Sequence, residues 1–341
     1  MKTKQFIFAV IALSFIILYS ACSKKEEAER LKIGLVSGIG SLDDKGFNQM
    51  AVDGLQVASL ASQMDYEVKG CSSFEDIVQN IDYFVSNDFD LIITLGFDAA
   101  QTTFDAATNN PGIHFLLLDY SFTSLPENMA CVTFQIDEVS FPAGFLAAYW
   151  TYVKNPTSPK VGYVAGPEIP PIQQFTESFR AGVTHFNSRY NLNVAVSGVN
   201  ASNFVDTLQG AHLADSLMLA GAEVIFACAG KTGNGALYKV KEAGKTAIGV
   251  DTDQYFTIPL VGDILLTSCI KRMDEAVMSE VISFQQQDFQ SAKTIVYNLK
   301  NKGVALADFH DFDPMINDSI KIELLNLKQD IINGLIDTGW Q

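Results

Sequence analysis

Basic side chains are scarce in this 341-residue chain: 23 Lys and Arg stand against 39 Asp and Glu, a formal charge of -16. Such a surface lacks the Lys/Arg patches that neutralise phosphates, which argues against nucleic acid as a partner. Its ordinary consequence is solubility. Histidine is rarer still, with four (His114, His185, His212, His310), and none stands at metal spacing beside a cysteine. There is no CxxC pair, the spacing most used by zinc and dithiol sites. The Walker spacing GxxxxGK[ST] is missing. The dinucleotide fingerprint GxGxxG starts at Gly38 and Gly40 but meets Asp43 where its third glycine belongs. No helix-turn-helix pattern precedes Leu31, and no Gly/Ser-rich linker or low-complexity tract interrupts the chain.

What is present begins with a targeting pattern. Lys2 and Lys4 precede an apolar run from Phe6 to Tyr19, too short for a comfortable membrane span of about 20 residues, so residues 1–21 read as a signal peptide. Ser20-Ala21-Cys22 resembles the lipobox of bacterial lipoproteins, with Tyr19 in a place that is usually aliphatic. That resemblance makes Cys22 the lipidated N-terminus and anchors the protein to a bacterial membrane outside the cytoplasm; the alternative is an ordinary secretory signal with an incidental cysteine. Residues 22–30, with the charged stretch SKKEEAER, read as a tether. Four further cysteines, Cys71, Cys131, Cys228 and Cys269, lie in or beside apolar runs. They permit three disulfide pairings, and buried free thiols are the favoured reading.

From Leu31 the hydrophobic pattern alternates between strand and helix. Short β-branched runs bounded by Gly, Asn or Asp fall at 32–37, 65–69, 91–95, 114–119 and 131–135, with helical periodicity between the first four, as buried parallel strands and their crossovers require. After a helix at 139–153 and the turn cluster Asn155-Pro156-Thr157-Ser158-Pro159, strands at 160–165, 193–197, 223–227 and 246–250 alternate with helices in the same way. The fold class is therefore α/β, with two doubly wound units of similar size. Strands at 264–269 and 294–299 and helices at 272–287 and 318–335 complete the chain. The expected partition gives 31–136 plus 252–290 to an N-terminal lobe and 137–251 plus 291–341 to a C-terminal lobe.

Ligands of open α/β sheets bind beyond the carboxyl ends of the strands. The polar and aromatic residues placed there are Asp44 and Asn48 after the first strand, Phe97 after the third and Asp119 after the fourth. In the second unit they are Phe175, Phe204, Gly230, Asp251 and, after strand 264–269, Lys271. Carboxylates and amides pair with hydroxyls or base edges, and aromatic faces stack on planar rings, so the set suits a polar molecule that contains a ring. Each residue also has a plainer reading. Asp44 serves equally as a helix N-cap, the phenylalanines as core, Lys271 as a solvated side chain, and Gly230–Gly235 as a tight turn.

Several segments in order, Asp44-Lys45-Gly46-Phe47-Asn48, Gly96-Phe97, Gly221-Ala222-Glu223-Val224-Ile225-Phe226, Ala229-Gly230-Lys231-Thr232-Gly233-Asn234-Gly235, Ile248-Gly249-Val250-Asp251-Thr252-Asp253-Gln254 and Thr267-Ser268-Cys269-Ile270-Lys271, resemble the basic-membrane-protein family of ABC-transporter substrate-binding lipoproteins, in particular its purine-nucleoside-receptor members. The resemblance runs from about Leu31 to Phe284 and is weak over the last fifty or so residues. It implies a type I periplasmic-binding-protein fold with hinge crossings around a cleft. It also implies a non-enzymatic, cofactor-free monomer that delivers adenosine, guanosine or inosine to an ABC permease and its ATPase. On that resemblance Phe175 and Phe204 stack the base, Asn48 and Asp119 bond its edge, Asp44 supports their loop, and Asp251 and Lys271 hold the ribose beside Gly230. The run Ile169-Pro170-Pro171-Ile172 departs from the glycine-richer family loop. A sugar receptor of the same fold and, more remotely, a nucleoside hydrolase are the competing readings.

Overall fold

The computed structural model describes residues 30–61 and 64–340. The expected signal peptide, Cys22 and the tether up to residue 29 lie outside the described residues. The chain opens with β1 (Leu31–Ile39), α1 (Phe47–Ala61), β2 (Met64–Cys71), α2 (Phe74–Ser86), β3 (Leu91–Leu95), α3 (Ala100–Asn109), β4 (His114–Leu118) and β5 (Met129–Phe134). A second series follows: α4 (Asp137–Lys154), β6 (Lys160–Ala165), α5 (Pro170–Tyr190), β7 (Ala195–Asn200), α6 (Thr207–Leu219), β8 (Val224–Cys228), α7 (Gly230–Glu242), β9 (Thr246–Asp251), α8 (Gln254–Thr257) and β10 (Leu265–Lys271). The chain closes with α9 (Met273–Gln285), β11 (Thr294–Tyr297), β12 (Val304–Leu306) and α10 (Asp318–Ile332).

The strands form two sheets with the same internal order, β11-β5-β4-β3-β1-β2 and β12-β10-β9-β8-β6-β7. Every pairing is parallel except that of β12 with β10. Central strands such as β3 (LIITL) and β8 (VIFAC) are buried at every position, because a parallel sheet is covered on both faces and its strands lose their alternation. Local chemistry sets the helix starts. Ser73 caps α2 and Asp76 returns the bond to the cap, a full capping box. The helix α4 is buried on nearly every side, as its unbroken apolar and alanine content demands. It packs against α5 at backbone contact: a Cβ on Gly182 would lie 1.9 Å from the Phe141 carbonyl oxygen, and one on Gly144 2.0 Å from that of Phe179. Only glycine permits that approach, which fixes the entry of α5 into the cleft.

Each sheet with its helices is a lobe, and three crossings join them: β5 to α4, β10 to α9, and β11 to β12. The crossings are tied to one another. The Gln135 amide donates to the Tyr297 carbonyl at 2.8 Å, the Arg272 amide to that of Gly303 at 2.9 Å, and the Leu299 amide to Glu138 Oε2 at 2.6 Å. Here the expected partition is corrected. β10 belongs to the second sheet, paired with β9, while β11 joins the first, paired with β5. Within 252–290 only α9 returns to the first lobe, where it packs on α1. A strand's sheet is decided by which edge accepts it, and an apolar run such as Leu265–Lys271 fits the edge of either. The four cysteines at 71, 131, 228 and 269 are free and buried, the favoured reading; burial raises the thiol pKa of Cys131 to about 12.

Candidate functional site

In both sheets the strand order reverses between the first and third strands of the unit, at β1/β3 and at β6/β8. At such a switch point neighbouring crossovers leave on opposite faces and open a crevice beyond the strand ends. The two crevices face each other. The space between them amounts to about 870 Å³ including its opening to solvent, and all nine residues singled out from the sequence line it: Asp44, Asn48, Phe97, Asp119, Phe175, Phe204, Gly230, Asp251 and Lys271.

The loop after β1 is built around Asp44 and Asn48. Asp44 Oδ1 accepts from the amides of Gly46 and Gln49 at 2.9 and 3.2 Å, and Oδ2 accepts from that of Asn48 at 2.9 Å. Its carboxylate is thus an anion at a helix N-terminus, where it satisfies amides that have no intrahelical acceptor, and α1 begins at Phe47. The plainer reading and the supporting role coincide here. Asn48 is 3% exposed and its amide closes the loop: Oδ1 accepts from the Gly38 amide at 2.9 Å, while Nδ2 donates to the carbonyls of Gly38 and Ser41 at 3.4 and 3.3 Å. It borders the cavity with its hydrogen-bonding capacity largely used inside the protein.

Asp119 and Asp251 are related positions of the two lobes. Asp119 directly follows β4 and Asp251 ends β9, each the fourth strand of its series, and both carry φ of 66°. Positive φ costs a residue with a Cβ, although Asp tolerates it better than most; here it turns each carboxylate toward the cleft. Their surroundings then diverge. Both oxygens of Asp119 accept from Lys271 Nζ, each at 2.9 Å. The Lys271 side chain is 4% exposed, with rings of Phe175, Phe47 and Phe134 at 5.4, 5.6 and 5.6 Å from the ammonium, within cation–π range. Lys271 is therefore not the solvated side chain of the plainer reading. The resemblance assigns Asp119 to a base and Lys271 to a ribose; the structure joins them at one point of the wall.

Asp251 has no such partner. Its carboxylate faces the cavity and makes no hydrogen bond within the described protein. Burial pushes its pKa up to about 6; Lys271 opposes that shift, and the acids Asp44 and Asp119 add to it. Burial alone also raises the pKa of Asp98, another lining carboxyl. The site thus holds an acceptor that lacks a donor, which a ligand bearing hydroxyl or amine groups would supply.

The aromatic walls come from both lobes. Phe204 rests on the backbone of Gly166, where a Cβ would sit 2.1 Å from its Cε1. Phe175, 3% exposed, is the last apolar residue of the first turns of α5 and also meets Phe226 at 5.9 Å, so it is core and lining at once. Phe97 is 40% exposed at the mouth and packs edge-to-face on Tyr120 at 5.4 Å. The Gly230 region is the first turn of α7 rather than a free turn, and Gly230 takes φ of 55°. Lining residues not picked from the sequence are chiefly apolar: Phe47, Ile39, Ile169, Ile172 and Val205. Phe47, three residues after Asp44, stood inside the segment Asp44–Asn48, and Ile169 and Ile172 in the run that departs from the family loop; Ile39 and Val205 carried no signal beyond hydrophobicity.

A family model described as "ABC transporter substrate-binding protein PnrA-like" matches residues 32–339, which includes the C-terminal stretch that looked dissimilar from motifs alone. The chain is 27% identical to a CD4+ T-cell-stimulating antigen of Listeria monocytogenes over 98% of each chain. It is also 27% identical to the ABC transporter nucleoside-binding protein BmpA of Lactococcus lactis subsp. cremoris, over 98% of this chain and 99% of that protein. Among solved structures it resembles an ABC transporter solute-binding protein from Aeropyrum pernix K1, with a TM-score of 0.84, 23% identity, and coverage of 90% and 92%. Two α/β lobes closing on a lined cleft and a family match over nearly the whole described chain converge: the chain belongs to the PnrA-like (Bmp) family of ABC transporter substrate-binding proteins.

Proposed function

We propose that the protein captures a purine nucleoside between its lobes and presents it to an ABC importer, without turning it over. The observation that carries this reading is the unpartnered carboxylate of Asp251 in a cavity whose apolar walls include Phe47, Phe175 and Phe204. A vicinal diol supplies two donors to one carboxylate, and a planar base fills an aromatic slot. The Asp119–Lys271 pair beside it offers a charged contact that is already neutralised, which suits an uncharged ligand better than a phosphate ester. The nucleoside-binding relative BmpA supports the same reading.

Lipidation at Cys22 belongs to the proposal. It places the protein at the outer side of a bacterial membrane; no helix among the described residues is long and apolar enough to cross one. Membrane fractionation of a Cys22→Ala variant tests the anchor: the variant is expected in the soluble fraction, and its retention in membranes would contradict lipidation there.

Isothermal titration of the purified protein with inosine, guanosine, adenosine, free ribose and hexoses tests the ligand. At least one purine nucleoside is expected to bind with dissociation constants in the micromolar range or below, with no free base released over hours. Binding of hexoses alone would replace the nucleoside by a sugar, and steady base release would make the site catalytic.

A further inference from the structure

The first-lobe loop that carries Asp44 presents two main-chain carbonyls to the opposite lobe, and each meets a donor there. Asn234 Nδ2, from the second turn of α7, donates to the Asp44 carbonyl at 3.3 Å. Thr252 Oγ1 donates to the Lys45 carbonyl at 3.2 Å. Lys45 has φ of 61°, and this turn aims consecutive carbonyls out of the loop before α1 begins. Neither carbonyl serves the helix ladder, which starts with the Met50 amide on the Gly46 carbonyl at 3.0 Å.

Behind these contacts lies a buried polar relay. Asn234 is 8% exposed and Gln254 4%. Gln254 Nε2 donates to Asn234 Oδ1 at 3.2 Å, Gln254 Oε1 accepts from the Val250 amide at 3.0 Å, and the Gln254 amide donates to Ser268 Oγ at 3.2 Å. Val250 directly precedes Asp251. The relay thus holds the carboxylate-bearing turn and the cross-lobe donor in one unit, as buried, hydrogen-bonded amides can do. Gly46 packs against the Asp251 carboxylate, where an added Cβ would still lie 3.5 Å from Oδ2. The contact sits beside Asp251, and neither donor, Asn234 nor Thr252, lines the cavity.

We propose that Asn234 and Thr252 are a closure latch: positioning residues that hold the two lobes together by capping the Asp44 and Lys45 carbonyls, with Gln254 coupling closure to the Val250–Asp251 turn. The latch acts on whatever ligand the cleft accepts; its effect on affinity rests on the nucleoside reading, and its effect on lobe closure does not. Apparent affinity scales with the fraction of molecules in the closed state, so weakening the latch lowers affinity for every ligand by one common factor, through faster release.

Small-angle X-ray scattering of the ligand-free protein, paired with titration and release rates for inosine, guanosine and adenosine, tests this. Thr252→Val keeps the side-chain shape but deletes a rim hydroxyl that also bonds Thr257 Oγ1 at 2.8 Å, so it is expected to fold with at most a small drop in melting temperature; Asn234→Ala removes the buried donor together with the acceptor of Gln254 Nε2. Each variant is expected to show a larger radius of gyration than wild type, the double variant more so. Affinity for each nucleoside that binds is expected to fall by a shared factor of about 3–10 per lost hydrogen bond. An unchanged radius in Thr252→Val and in the double variant, or a loss confined to one nucleoside, would overturn the latch. Were no nucleoside to bind the wild type, the scattering arm would decide alone.

Discussion

A single side chain, Asp251, carries the cost of the site and, in the proposed function, its use. Its carboxyl is held near pH 6 by burial, against an ordinary value near 3.8. An acid whose folded pKa is raised favours the folded state at low pH and withdraws that support as pH rises through about 4 to 6. Asp251→Asn is therefore expected to raise the melting temperature of the ligand-free protein at pH 7.5, with the gain shrinking toward pH 4; differential scanning calorimetry at both pH values reads it. The same variant loses the anionic acceptor and is expected to bind nucleosides about 30–1,000-fold more weakly, the usual cost of unpairing hydroxyls in a dry cleft. Because hydroxyl donors stabilise the carboxylate, its pKa falls on binding. Wild-type affinity is accordingly expected to be flat above about pH 7 and to drop as pH falls below 6, a slope absent in Asp251→Asn. Asp119 and Lys271 behave as a pair: Lys271→Met leaves Asp119 buried without its cation, and such unpairing typically costs about 3–5 kcal/mol, so chemical denaturation is expected to show a large loss that Lys271→Met/Asp119→Leu partly recovers.

At the scale of elements, most of the pattern was legible. The parallel strands announced themselves as short apolar runs, and the carboxyl-end rule then placed Asp44, Asn48, Phe97, Asp119, Phe175, Phe204, Gly230, Asp251 and Lys271 around one cavity. The rule works because sheet topology, not local detail, locates the crevice. What stayed hidden depended on partners far away in sequence. The side chain of Asn48 is absorbed by the Gly38 and Ser41 backbone, which no spacing reveals. The strand β12 is three residues long, too short for a periodic signal, and β10 and β11 exchange lobes relative to expectation because edge preference is not written in a strand's own residues. Helix contact is equally nonlocal. Nothing in the sequence around Gly182 marks it out, yet Gly182→Ala would press a methyl into the Phe141 carbonyl and push α5, with Phe175, off α4. Overpacking of this kind costs about 1–3 kcal/mol; a lower denaturation midpoint together with weaker nucleoside binding is expected, whereas the same change at exposed Gly112, with open space around it, is expected to be nearly silent.

The described residues form two lobes of one strand order, distinguished by the antiparallel edge strand β12, and their strand ends confront each other across three tied crossings. That arrangement lets a cleft close as a rigid-body motion about short segments, and the ion pair of Asp119 with Lys271, set at the β10 crossing, lies where closure brings the lobes together. The pseudo-equivalent carboxylates Asp119 and Asp251 show how the two copies have diverged in role. One is neutralised by a lysine within the protein, and the other has no hydrogen-bond partner among the described residues. In the proposed function, nucleoside capture turns on that second carboxylate meeting a ribose diol. The most direct test is titration at pH 7.5 of the tightest-binding purine ribonucleoside against its 2′,3′-dideoxy counterpart. Loss of about a hundredfold or more in affinity for the dideoxy compound is predicted, shrinking to a few-fold in Asp251→Asn; equal affinity of the wild-type protein for the two compounds would contradict it.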